Sequence, residues 1–136
     1  MIKPITHDTF FLLRKSEPAT AADLAIARDL RDTLAAHRSE CVGMAANMIG
    51  SSKRIIIVAV GMFEMVMLNP VIVKKSGAFE TEEGCLSLSG VRKTTRYEKI
   101  TVKYQDERMK PHTQEFTGWT AQIIQHECDH LEGILI

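Results

Sequence analysis

The sequence predicts an α+β fold, with antiparallel sheets packed around a C-terminal helix, and three observations carry that expectation. A helical period occupies residues 20–37. Short extended segments fill the middle of the chain, from Ile55 to Thr117. A second helical stretch follows over residues 118–132. Helix, several strands, helix is an order that favours α+β over a parallel wound sheet. The 136 residues, 45% hydrophobic and 25% charged, suffice for one self-supporting core, so residues 1–136 read as a single domain.

In the first helix Thr20 is placed to cap the N-terminus and Asp23 falls in the first turn. Ile26, Ala27, Leu30, Leu34 and His37 then share one side. Ile55, Ile56, Ile57 and Val58 are β-branched without a break, the pattern of a buried strand. Residues 65–68 and 71–73 flank Asn69-Pro70, a turn signal, and read as two short strands. Residues 100–104 alternate with period two, a half-buried strand. Residues 106–111 are charged and turn-like, and residues 113–117 return as the hairpin partner. The last helix has Thr117 in the N-cap position and Gly133 just past its end.

Charge and cysteine content narrow the function classes. Seventeen Lys and Arg balance seventeen Asp and Glu, which argues against nucleic acid or an anionic membrane surface as partner. The longest apolar run, residues 55–63, is nine residues, whereas a membrane span needs about twenty. The N-terminus lacks the apolar stretch of a signal peptide, so a cytoplasmic protein is expected. Cys41, Cys85 and Cys128 are odd in number and widely spaced. In a reducing compartment they are free thiols, buried residues or metal ligands.

The last helix carries the chemistry. Gln125-His126-Glu127-Cys128-Asp129-His130 contains His-Glu-x-x-His. Histidines four apart lie one above the other on a helix, so both imidazoles reach one metal ion. Glu127 lies one step round, where it can take a proton from water activated at the metal. Ala121, Ile124, Cys128 and Leu131 form an apolar stripe, which makes Cys128 a core residue, and Trp119 and Ile123 line the histidine face. In zincin-type proteases the third ligand lies downstream. Only six residues follow His130, and Glu132 is about 200° round the helix, so the third ligand is expected upstream. Cys85, Cys41, His112 and several carboxylates are candidates, and spacing does not choose among them.

Two further segments carry a resemblance. Glu83-Gly84-Cys85-Leu86-Ser87, followed by Gln125-His126-Glu127-Cys128-Asp129-His130-Leu131-Glu132-Gly133, resembles the paired motifs of the peptide deformylases. That family's first motif, Gly-x-Gly-x-Ala-Ala-x-Gln, is matched by residues 41–48, with Cys41 for the leading glycine and Met48 for the glutamine. Leu13-Arg14 is similar to the family's opening. The resemblance implies a divalent metal held by Cys85, His126 and His130, iron(II) natively, with zinc, nickel or cobalt able to occupy the site. It implies Glu127 as general base and then acid, and the Leu86 N–H as an oxyanion donor. It implies an N-formyl-methionyl peptide or nascent chain as substrate, with the ribosome as a further partner. Gly43, Met44 and Glu83 are expected at the substrate, with Glu83 either orienting the site or pairing with a basic residue.

Met48 stands where the family has its second donor, and a thioether donates nothing. Three outcomes follow: a slow deformylase, a neighbour such as Asn47 supplying the donor, or a metal-binding homologue that recognises formyl-peptide ends without serving that reaction. A deformylase for another formyl-amine is a further alternative. Cys41 is read as a second thiol near the metal or as a small replacement for glycine. His7, His37 and His112 lack partner spacing and are expected at the surface or at caps. Arg92 and Arg96 are read as substrate contacts or as solvated strand residues.

Overall fold

The computed structural model describes residues 1–136. A short helix α1 (Thr9–Leu12) precedes a 3-10 turn (Ala21–Asp23) that opens helix α2 (Leu24–Ala36). Strand β1 (Gly43–Ala45), a second 3-10 turn (Ala46–Ile49) and strands β2 (Ile55–Val60), β3 (Phe63–Cys85), β4 (Leu88–Gln105) and β5 (Pro111–Thr117) follow, then helix α3 (Gly118–Leu131). The five strands form one antiparallel sheet in chain order, so every pairing is between sequence neighbours. No helix is long and apolar enough to cross a membrane.

The first helical stretch begins where the sequence places it, as the 3-10 turn that leads into α2. Thr20 Oγ1 accepts from the Ala22 N–H, while Asp23 Oδ2 accepts from the Thr20 N–H at 2.9 Å, a reciprocal cap. Ala27, Leu30 and Leu34 are buried along it. At the other end of the chain, Gly133 takes φ +76°, its N–H donates to His130 O, and the Ile134 N–H donates to Asp129 O. Those two bonds are the Schellman pattern that ends a helix. A side chain on Gly133 would also overlap the Leu13 carbonyl.

One expectation is corrected, and another holds in position only. Asn69-Pro70 does not end a strand: β3 runs through it with a register shift between Leu68 and Val71. Asn69 adopts φ 53°, and its side chain replaces lost ladder bonds. Oδ1 accepts from the Ala19 N–H at 2.7 Å, and Nδ2 donates to Ala19 O at 2.9 Å and Gln105 Oε1 at 2.7 Å. The missing proline N–H is thereby absorbed as a bulge. Thr117 occupies the N-cap position of α3 but its side chain makes no capping bond. It is also the last residue of β5, paired with Lys99, so the strand feeds directly into the helix.

The core lies between the sheet and the two longer helices. Ile55 to Val58 on β2, Val66 to Leu68 on β3 and Ile100 and Val102 on β4 pack with Leu30 and Leu34 of α2 and with Ala121, Ile124, Cys128 and Leu131 of α3. Cys128 is buried in that cluster, as its stripe position predicts. Burying α3 there aims its histidine face at the end of β3, where Cys85 sits.

Candidate functional site

His126 and His130 meet edge to face on α3 with their Nε2 atoms 3.1 Å apart, and Cys85 Sγ lies 3.3 Å from His130 Nε2. The three ligand atoms all fall within 4.8 Å of one another. Cys85 is the last residue of β3 and pairs with Leu88, so only Leu86 and Ser87 form the turn into β4. Of the upstream candidates, Cys85 alone joins both histidines in one ligand cluster. His112 is on β5, bonded to Asp106 Oδ2 at 2.8 Å and stacked on Tyr104. Cys41 donates from its thiol to Gly43 O at 2.9 Å, and burial, with the nearby Glu127 carboxyl, pushes its pKa up to about 12. It stays a thiol in the cleft wall, outside the ligand cluster.

The surroundings of the cluster suit a cation. His126 Nδ1–H donates to Glu83 Oε1 at 2.9 Å, which leaves Nε2 free to face Cys85 and His130. Burial opposes charge on His126, but Cys85, Glu83 and Glu127 together outweigh it and raise its pKa. Burial, then the His126 and Arg96 charges, lower that of His130 to about 3. Two imidazoles and a thiol thus converge among acidic groups with room for one positive charge between them. A divalent ion answers that demand, and nitrogen and sulfur donors suit iron, zinc, nickel or cobalt better than magnesium or calcium.

Behind His126 a buried ion-pair network holds Glu83. Arg96, 3% exposed, donates from Nε and Nη2 to Glu83 and from Nη1 to Asp129 Oδ2 at 2.7 Å. Gln122 Nε2 adds a bond to Glu83 Oε2 at 2.9 Å. Burial acts to raise the Glu83 pKa, but the bonds from His126, Arg96 and Gln122 outweigh it and hold it at about 2. Both Glu83 oxygens are engaged by the protein, so Glu83 orients His126 and pairs with an arginine at the edge of the cleft. Arg96 is likewise neither a substrate contact nor a solvated residue. Arg92 bonds Ser89 O at 3.3 Å on the hairpin surface.

A cleft of about 710 Å³ opens over this centre, lined by Cys41, Gly43, Leu86, Trp119, Ile123 and Glu127 among others. Glu127 is 4% exposed, and its Oε1 has no hydrogen-bond partner. Burial raises its pKa to about 7. Gly43 admits this carboxyl: a Cβ there would stand 2.9 Å from Glu127 Oε2 and 2.6 Å from Ile123 Cγ2. Met44 does not line the cleft. It is the next residue along β1, points to the opposite face and is fully buried in the core.

The first-motif residues differ from expectation. Met48 borders the cleft but is 1% exposed, and its sulfur accepts from the Ala45 N–H at 3.4 Å. Asn47 does not stand in as a donor: it does not line the cleft, is 1% exposed, and directs its Nδ2 to His130 O at 2.8 Å, inside the protein. The Leu86 N–H, in the turn, has no acceptor in the chain. Sequence reasoning left Asp129 and Gln122 without roles. Gln122 could have been found, since it lies one helical turn before His126 on the same face.

A helix-borne His-Glu-x-x-His pair completed by a cysteine from a strand end, beside an open cleft, is the arrangement of a metallohydrolase. The family model described as "Polypeptide deformylase" matches residues 2–136. A peptide deformylase of Clostridium beijerinckii is 57% identical over 136 residues, the full length of both chains. One from Chlorobaculum parvum is 37% identical over 145 residues, covering 99% of this chain and 78% of its own. The crystal structure of a peptide deformylase from Legionella pneumophila superposes with a TM-score of 0.90 at 34% identity, covering 99% of this chain and 83% of that one. The chain belongs to the peptide deformylase family.

Proposed function

We infer that this chain is a metal-dependent hydrolase that removes the N-formyl group from formyl-methionyl peptides, with Cys85, His126 and His130 as the metal ligands. The observation that carries the reading is the convergence of those three donors below a cleft that Glu127 lines, with one buried carboxyl oxygen left without a partner. A divalent ion held there, iron(II) natively or zinc, nickel or cobalt, supplies Lewis-acid polarisation and makes water acidic enough to react near neutrality.

The chain's own residues do the rest. Glu127, with a pKa near 7, accepts a proton from the attacking water and returns it to the departing amine. The Glu83–Arg96 network holds His126 in the tautomer that leaves Nε2 as a ligand. The Leu86 N–H faces the oxygen that gains charge on attack. Leu88, Ile123 and Trp119 offer apolar wall for a methionine side chain. The substrate this implies is the formyl-methionyl end of a nascent chain, met at the ribosome in the cytoplasm.

Met48 favours a slow version of this reaction. Losing one oxyanion donor costs about 10²–10³ in turnover. Glutamine has nearly the length of methionine, so its carbonyl can take the Ala45 N–H while its amide faces the cleft. Formate release from formyl-Met-Ala-Ser by the nickel-loaded chain is the test. We expect release by the native sequence and a gain of about tenfold or more in Met48→Gln. No release from either protein would leave a metal-binding homologue that recognises formyl-peptide ends. Release without the gain would sink the missing-donor account.

A further inference from the structure

Residues 6–16 cross all three segments that build the metal centre, yet the chemistry above does not use them. The Thr6 N–H donates to Met48 O at 2.8 Å. His7 Nδ1 stands 3.0 Å from Ser87 O, and because a carbonyl only accepts, the ring carries its hydrogen on Nδ1. The Ser16 N–H donates to Leu131 O at 2.8 Å, one residue beyond His130. Leu13 packs its carbonyl into the space Gly133 leaves open. One strap therefore joins the turn bearing Met48, the turn bearing Leu86 and the end of the histidine helix.

The contact at Ser87 has the most direct consequence. With Cys85 paired to Leu88, the turn is only Leu86 and Ser87, pinned at both ends. Ser87 is 2% exposed, so its carbonyl has almost no water to turn to. A buried carbonyl deprived of its donor rotates to find another. In so short a turn that rotation disturbs the neighbouring peptide, the one that carries the Leu86 N–H.

We propose that His7 is a positioning residue for deformylation: by donating from Nδ1 to Ser87 O, it holds the Leu86–Ser87 turn where the Leu86 N–H faces the cleft. Thr6 ties the same strap to the Met48 turn. The inference rests on the function proposed above. Because Met48 donates nothing, Leu86 is the donor that remains, and the chain depends on the set of this turn.

His7→Phe keeps a ring of similar size and removes the donor, whereas His7→Asn places an amide N–H at the reach of Nδ1. On the nickel-loaded chain, His7→Phe should lower kcat about tenfold with KM for formyl-Met-Ala-Ser held within about twofold, and His7→Asn should restore most of that loss. Bound nickel should be unchanged in both. Hydrogen exchange gives a readout independent of turnover. The amide of Leu88, which closes the turn against Cys85, should exchange about tenfold faster in His7→Phe, while those of α3 stay unchanged. A kcat that holds in His7→Phe overturns the proposal, whether or not exchange quickens. So does a His7→Asn protein that restores neither quantity. If the native sequence releases no formate, the proposed function has failed on its own account, and the exchange comparison decides whether His7 holds the turn.

Discussion

Replacing Arg96 by methionine separates the network behind His126 from the rest of the site. Arg96 and Glu83 side chains are 4% and 8% exposed, so Arg96→Met leaves a buried carboxylate that keeps only its His126 and Gln122 bonds. Removing one partner of a buried pair costs about 3–5 kcal/mol. The fall of the Glu83 pKa from 4.5 to about 2 has the sign this predicts, and Arg96 shares it with His126 and Gln122. Asp129, 27% exposed, loses its bond from Arg96 as well but retains water, so it adds less.

The sign of the pH dependence follows. A carboxyl whose folded pKa is depressed contributes stability that is complete above its unfolded value and lost as pH falls through the folded one. For Glu83 that window runs from about 4.5 down to about 2. Urea unfolding of the metal-free chain should therefore show Arg96→Met weaker by about 3 kcal/mol at pH 7. The gap should narrow as pH falls from 4.5 towards 2, because protonated Glu83 no longer needs the arginine. Glu83→Gln with Arg96→Met should cost less than Arg96→Met alone. A gap under about 1 kcal/mol at pH 7, or one that stays constant down to pH 2, would refute the reasoning.

Other perturbations test the centre and its frame. Cys85→Ala should abolish tight metal binding, and Cys41→Ala should retain it, as read by metal analysis after dialysis; retention in both would overturn the ligand set. Glu127→Gln should keep the metal and lower turnover by about 10²–10⁴. In the native chain, turnover should rise with pH through a limb at or below about 7, because Glu127 accepts a proton only when ionised and a bound cation pulls its pKa down. Gly133→Ala should cost more than about 1 kcal/mol in thermal unfolding, since the residue holds φ +76° and a Cβ meets the Leu13 carbonyl.

Legibility followed the range of the forces involved. The Thr20–Asp23 cap ahead of α2, the strand at Ile55 to Val58, the end of α3 at Gly133 and the core position of Cys128 depend on residues within a turn or two of each other. Each could be read from spacing. Asn69-Pro70 was misread because its local signal is that of a turn, and the bonds that keep β3 continuous come from Ala19 and Gln105, far away in sequence. Arg96 was ambiguous for the same reason: nothing near it in sequence announces that Glu83 and Asp129 will enclose it. Met44 was assigned by motif position, and the two-residue period of β1 carried it to the core face.

The sequence by itself determined that two histidines would face one point, because four residues on a helix bring side chains above one another whatever surrounds them. It also determined that no hydrogen-bond donor would stand at position 48, since a thioether has none. Only the tertiary structure decided that Cys85 completes the cluster and Cys41 does not, that Asn47 is engaged elsewhere, and that residues 6–16 bind the three pieces of the site together. Those outcomes depend on the register of β3 against β4 and on where α3 docks. Both are set by the summed burial of many apolar side chains across the core, which no short stretch of sequence contains.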